Sequence, residues 1–223
     1  MILQTMLSGL LMKNIMTKSS WYIISILFIT GCSSVSELNP EEYLNFYINN
    51  ADVIVNKKNI GTLYFKATYL SPEYMALKMN KSEKYSDSLE FEIKDRSNFF
   101  YFNFEIGENE SGQDVLNKDI STPEELFSRI EYLSFKVQND FMLLVGNDTF
   151  PCLMSQYERT FGLNKSIVIT CMFERVNPFQ DRCPDITLEF YDNLFRNGYV
   201  KLAFDGDKIC ELPKLNIYNH DIE

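Results

Sequence analysis

The stretch Ile186–Phe204, ITLEFYDNLFRNGYVKLAF, decides the fold. Ile186, Leu188 and Phe190 alternate with Thr187, Glu189 and Tyr191, and Val200, Leu202 and Phe204 alternate with Tyr199, Lys201 and Ala203. Alternation with period two places one set on each face of an extended chain, so the stretch reads as two strands with one buried face each. Two ways of joining them compete. A tight Asn197-Gly198 turn is the stronger local hairpin signal, but it sets Phe190 against Asp205 and Leu188 against Asp207. A wider loop, Asp192 to Gly198, matches Ile186, Leu188 and Phe190 with Phe204, Leu202 and Val200. A slip of one residue would turn a whole apolar set toward water, so burial outweighs turn preference and predicts the wider loop.

The same period runs through much of the chain. Leu63, Phe65, Ala67 and Tyr69 share one face, as do Leu89, Phe91 and Ile93, then Phe100, Phe102, Phe104 and Ile106, then Ile167, Ile169, Cys171 and Phe173. Phe135 to Val137 and Phe141 to Val145 flank Asn139-Asp140 as a further hairpin. Three helix starts interrupt the strands. Asn39-Pro40-Glu41-Glu42 offers an N-cap, a proline in the first turn and Glu at the third position. Ser71-Pro72-Glu73 repeats the chemistry, and Thr122-Pro123-Glu124-Glu125 opens a helix to about Leu133. The absence of a strand–helix–strand rhythm argues against a parallel α/β sheet. The fold expected is mainly β with a few short helices (α+β), an antiparallel β-sandwich or barrel-like domain. The polar, glycine-containing residues 107–120 are the expected long loop or internal boundary within a globular region spanning 39–223.

The N-terminus reads as an address. Lys13 and Lys18 precede a nine-residue apolar core, Trp21 to Ile29 (WYIISILFI), too short to cross a bilayer. Ile29-Thr30-Gly31-Cys32 follows, then Ser33 and Ser34. In this order the segment resembles the signal peptide and lipobox of bacterial lipoproteins, over about twenty residues. The resemblance implies a signal peptide of residues 1–31, cleavage before Cys32, a diacylglyceryl thioether on Cys32 and a short tether, residues 32–38. Residues 1–11 are uncharged and sit upstream of the positive segment, so Met12 is the expected true start. In the sorting pattern of such lipoproteins, Ser33 instead of Asp after the cysteine implies the outer membrane of a Gram-negative envelope. Several acyl chains, at about 0.8 kcal/mol per buried methylene, make such an anchor effectively permanent.

The whole chain carries a formal net charge of −10. The residues before Cys32 contribute only Lys13 and Lys18, so the remainder is more acidic still. That balance argues against nucleic acid and anionic lipid headgroups as ligands and suits a basic protein partner or a cation, with an envelope component as the other expected partner. The single Trp, Trp21, lies in the apolar core of the signal, and the single His, His220, lies three residues from the C-terminus.

Four cysteines follow Cys32: Cys152, Cys171, Cys183 and Cys210. An even number in an exported domain reads as two disulfides. Pairing neighbours in sequence gives Cys152–Cys171 and Cys183–Cys210, with crossed connectivity as the alternative. The wide loop sets Cys183 and Cys210 near the open end of the last hairpin. No CxxC occurs, and the spacings match no zinc module, so neither a metal site nor a cofactor is expected.

Catalysis has little to draw on. His220 is badly placed for a triad, and no glycine-rich phosphate loop occurs. Asp205-Gly206-Asp207 and Asn147-Asp148 carry oxygen ligands of the kind Ca²⁺ takes, but both are first of all turn residues. The aromatic run Phe99 to Phe104 is either a binding face or a buried strand. No catalytic residue is assigned. The expected function is a membrane-anchored, non-catalytic binding or assembly module. The alternative is a small carboxylate-dependent hydrolase acting on an envelope polymer or glycan.

Overall fold

In the computed structural model, residues 36–79, 87–109, 114–159, 164–175 and 183–217 are described. The period-two segments form an eight-stranded antiparallel sheet. Its strands are β2 (Val55–Ile60), β3 (Leu63–Leu70), β4 (Phe99–Glu108), β5 (Phe141–Val145), β6 (Asp148–Tyr157), β7 (Ile167–Glu174), β8 (Ile186–Asp192) and β9 (Gly198–Phe204), in spatial order β2-β3-β4-β7-β6-β5-β8-β9. The two outer strands, β2 and β9, come alongside each other, and the Asn56 side-chain amide donates to the Ala203 carbonyl at 2.7 Å. The sheet is thus nearly closed into a barrel, its seam bridged by a side chain where a backbone ladder would otherwise run. Closure of this kind hides the unpaired edges of a sheet.

Aromatic rings fill the interior. Phe65, Phe102, Phe104, Phe141, Phe173 and Phe190 are fully buried. Phe104 lies 5.0 Å from Phe141 and 4.8 Å from Phe190, and those two lie 4.7 Å apart, centroid to centroid. Edge-to-face and tilted pairs at such separations each contribute about 0.5–1.5 kcal/mol beyond area burial. The run Phe99 to Phe104 is therefore mostly core: Phe100, Phe102 and Phe104 point inward, and outward Tyr101 is buried as well.

All three expected helix starts carry a side-chain cap: two are capping boxes, and Ser71 Oγ accepts from the Tyr74 amide at 3.0 Å. In α1 (Pro40–Asn49), Asn39 Oδ1 accepts from the Glu42 amide at 3.0 Å and Glu42 Oε2 accepts from the Asn39 amide at 3.2 Å. A four-residue α2 (Ala51–Ile54) leads into β2. α3 (Pro72–Met79) starts at Ser71, which α1 clamps: Tyr43 Oη lies 2.8 Å from Ser71 Oγ, and the Ser71 amide donates to Tyr47 Oη at 2.9 Å. Burial pushes both tyrosine hydroxyls far up from their usual pKa. A second capping box, Thr122 with Glu125, opens α5 (Pro123–Phe135), after α4 (Asp87–Arg96).

Two sequence expectations need correction. Residues 89–93 are not a strand but the middle of α4, with Leu89 buried and Phe91 72% exposed. Glu90, Glu92, Lys94 and Arg96 favour a helix, and every apolar position at i and i+4 also satisfies period two. Phe135 and Val137 form no hairpin with β5: Phe135 ends α5, and residues 137–140 make a 3₁₀ turn. β5 instead turns through Gly146 (φ +59°) and Asn147 to pair with β6. Of residues 107–120, Gly107 and Glu108 belong to β4, and Val115, in a 3₁₀ turn, is buried in the common core.

The last hairpin has the wide loop and the expected register, with Ile186, Leu188 and Phe190 opposite Phe204, Leu202 and Val200. Beyond β9, Asp205 caps α6 (Gly206–Cys210) by accepting from the Lys208 amide at 3.3 Å. Cys210 is bonded to Cys183, with Cα atoms 5.9 Å apart, closing the open end of the hairpin. Gly206 sits so close to this strand end that a Cβ there would collide with the Cys183 and Pro184 carbonyls. A two-stranded parallel ribbon, β1 (Glu37–Leu38) with β10 (Lys214–Leu215), ties the two ends of the described region together. The described residues belong to one compact unit.

Candidate functional site

At the other end of the last hairpin, the loop between β8 and β9 is held by one carboxylate. Asp192 is 1% exposed. Its Oδ1 accepts from the Leu194 and Phe195 amides, both at 3.1 Å, and its Oδ2 accepts from the Asn197 side-chain amide at 2.7 Å and the Asn197 backbone amide at 3.4 Å. A buried charge is tolerated when it is hydrogen-bonded in this way. The loop closes through residues in the left-handed region, Arg196 at φ +60° and Gly198 at +72°.

α5 braces the same loop from the side. The Arg129 guanidinium lies 5.2 Å from the centroid of the Phe195 ring and donates to the Leu116 carbonyl at 2.9 Å and the Lys118 carbonyl at 2.7 Å. Asp140 accepts from Tyr132 Oη at 2.6 Å and from the Asn193 side-chain amide at 2.9 Å. Burial, and then this bond to the carboxylate, hold the Tyr132 hydroxyl protonated far above its ordinary range. Burial also lowers the Arg129 pKa from its ordinary value.

Directly beside this braced loop, Tyr191 and Tyr199 face each other across β8 and β9 on the outer surface. Their ring centroids are 4.9 Å apart, and the residues are 41% and 64% exposed. The next pair on that face, Glu189 and Lys201, is an ion pair, and half-buried Met142 of β5 lies opposite Glu189. Two large rings are thus presented to water by backbone that cannot easily move. Rigid tyrosines supply contact area at low entropic cost and combine an apolar body with a polar tip. The group offers a ligand two aromatic rings with hydroxyl tips and, beside them, an ion pair.

The other sequence candidates are placed as follows. Cys32 and His220 lie outside the described residues. Cys183 and Cys210 are bonded, whereas Cys152 and Cys171 are two unbonded thiols in mutual contact on β6 and β7. That corrects the expectation of a second bridge: the register opposes Cys152 to Phe173 and Cys171 to Ser155, so the thiols meet across a bulge on the diagonal. Asn147 belongs to the β5–β6 turn and Asp148 opens β6, while Asp205 caps α6 and Gly206 makes the tight crossing. Among the described residues no group of three or more metal-ligating side chains converges. A cleft of about 310 Å³ gathers Glu37, Glu73 and Glu90 with Lys214. Glu37 and Glu90 are exposed and Glu73 is half-buried.

The Tyr191–Tyr199 pair escaped the sequence reading, although the register derived there already paired them. What was missing was the inference that an outward aromatic opposite another outward aromatic is a surface feature.

No protein-family model and no curated protein matches the sequence. A solved structure of a novel protein of unknown function from Burkholderia pseudomallei K96243 is similar to this chain at 11% identity and a TM-score of 0.36, covering 79% of this chain and 94% of that one.

Proposed function

We propose that this chain is an exported, lipid-anchored envelope protein that binds another protein through the Tyr191–Tyr199 platform, without catalysis. The exposed ring pair on the braced loop carries the reading. Exposed aromatics on a rigid frame are the usual anchors of protein interfaces, where Tyr is among the residues that dominate affinity. The acidic balance of the chain favours a partner face rich in Lys or Arg. The lipobox-like segment at Thr30-Gly31-Cys32 and the Cys183–Cys210 bridge both suit life outside the cytoplasm.

A photo-reactive phenylalanine analogue placed at Tyr199 in the intact lipoprotein tests the site. Irradiation of cell envelopes should yield one discrete crosslinked protein species, lost when Tyr191 is also replaced by Ala. The same probe at Lys58, an exposed position on β2, should give none. Equal yields from both positions would overturn the assignment. The hydrolase alternative would place its carboxylates in the Glu37–Glu73–Glu90 cleft, and turnover of a peptidoglycan or glycan that Glu73→Gln abolishes would replace this reading.

A further inference from the structure

β6 is the least regular strand of the barrel. Its register against β7 breaks between Cys152 and Met154, leaving Leu153 as the extra residue of a bulge. Leu153 and Met154 are 45% and 52% exposed, so the bulge is open to water. Cys152 sits at its edge, half-buried, and its Sγ donates to the Met154 carbonyl at 3.1 Å. Beneath it, fully buried, is Cys171, flanked on the other side by Phe102 of β4. The two thiols touch.

They are not equivalent. Burial drives the Cys171 thiol well above its ordinary pKa. The hydrogen bond from Cys171 lowers that of Cys152 against its own burial. An accessible thiol of lowered pKa against a buried neighbour is the arrangement of an attacking and a resolving cysteine. The Cys183–Cys210 pair has no such asymmetry to exploit: it is already bonded, and it staples the mouth of a hairpin.

We propose that Cys152 and Cys171 are an exchangeable dithiol pair that reacts with external disulfides, Cys152 attacking and Cys171 resolving. The Cys152 thiolate attacks one sulfur of the incoming disulfide, forming a mixed disulfide and expelling one thiolate. Cys171 gives its proton to that thiolate and attacks Cys152 Sγ, forming the intramolecular bridge and releasing the second half as a thiolate, which takes the proton Cys152 lost. The external disulfide is reduced by two electrons, and the two cysteines are oxidised by two. The bulge supplies the slack that a diagonal pair needs to close. This inference stands independently of the docking platform.

Full-length protein in detergent, with Cys183–Cys210 intact and the other pair reduced, is mixed with oxidised glutathione, quenched by alkylation and mapped by mass spectrometry. The unsubstituted protein should yield a Cys152–Cys171 linked peptide and free glutathione. Cys171→Ser should accumulate a glutathione adduct on Cys152, and Cys152→Ser should carry none. In the unsubstituted reduced protein, iodoacetamide should label Cys152 at least tenfold faster than Cys171, a comparison that needs no variant to fold. Equal labelling rates, an adduct on Cys171 in Cys152→Ser, or no adduct in a folded Cys171→Ser protein would each overturn the proposal.

Discussion

Asn197 donates its side-chain amide to the buried carboxylate of Asp192 at 2.7 Å, joining the last residue of β8 to the residue just before β9 begins. That bond and the three backbone donors on the same carboxylate hold the loop that presents Tyr191 and Tyr199.

Asp192→Ala removes the acceptor and leaves buried amides unpaired. Orphaned donors cost about 1–3 kcal/mol each where water cannot replace the partner. With part of the loop open to water, the expected loss is about 2–3 kcal/mol overall, read as a lower urea midpoint at unchanged slope. Asp192→Asn keeps one acceptor oxygen and should lose less. A midpoint unmoved by Asp192→Ala would show that the carboxylate does not hold the loop.

The outer face of the barrel carries a second buried-edge network, around Glu105. Its carboxylate is ion-paired with Lys66 and accepts from Tyr64 Oη at 2.5 Å, and Tyr64 also lies 3.1 Å from Ser166 Oγ. Burial alone would raise the Glu105 pKa, but the hydrogen bonds from Lys66, Tyr64 and Ser166 outweigh it and hold the group below its ordinary value. A carboxylate with a depressed folded pKa contributes stability that is fully present above the unfolded value, about 4.3 for Glu, and is lost as pH falls through the folded one. Stability should therefore drop between about pH 5 and the acid limit, and Glu105→Gln should flatten that part of the curve. Parallel acid titrations of the two proteins by circular dichroism check this, and coincident normalised curves would refute it.

The strands were legible because the barrel interior demands strict alternation. Wherever a strand is interior on one face and wet on the other, as in β8 and β9, residue type alone fixes orientation and even register. β2 was missed because Val55–Ile60 (VNKKNI) is an outer strand whose middle residues are exposed, so the alternation that signals burial is absent. β6 was missed because Pro151 and the extra residue at Leu153 break the period. α4 was misread because three apolar residues at every second position are compatible with either period over so short a span. At the candidate sites, the Cys183–Cys210 pairing followed from register, whereas the Cys152–Cys171 contact depends on a bulge that no spacing rule announces.

Lipidation is expected from the segment ending in Thr30-Gly31-Cys32. Cys32→Ala should abolish incorporation of labelled palmitate and leave the chain out of the membrane fraction or stalled as precursor. Labelling that persists in this variant would remove the anchor from the proposal, while leaving the docking platform to be judged on its own test.

The platform itself makes a kinetic prediction, because charge and apolar contact act on different rates. Once the crosslinked partner is in hand, surface plasmon resonance can follow both. Charges spread over the acidic chain steer the encounter, so association should slow several-fold as salt rises from 50 to 500 mM, a range over which the Debye length shrinks from about 14 to about 4 Å. The Tyr191 and Tyr199 rings act only after contact. Tyr199→Ala removes the more exposed ring and should speed dissociation by roughly tenfold to a hundredfold, a loss of about 1.4–2.8 kcal/mol within the range of an interface anchor, with association little changed. Tyr199→Phe, which keeps the ring and its tilted packing on Tyr191, should stay within a few-fold of the unsubstituted protein. Lys201→Ala opens the Glu189 pair beside the rings without touching them, so its effect should fall on association. If Tyr199→Ala slows association and leaves dissociation unchanged, the ring pair is not an anchor, and the partner is held elsewhere on the molecule.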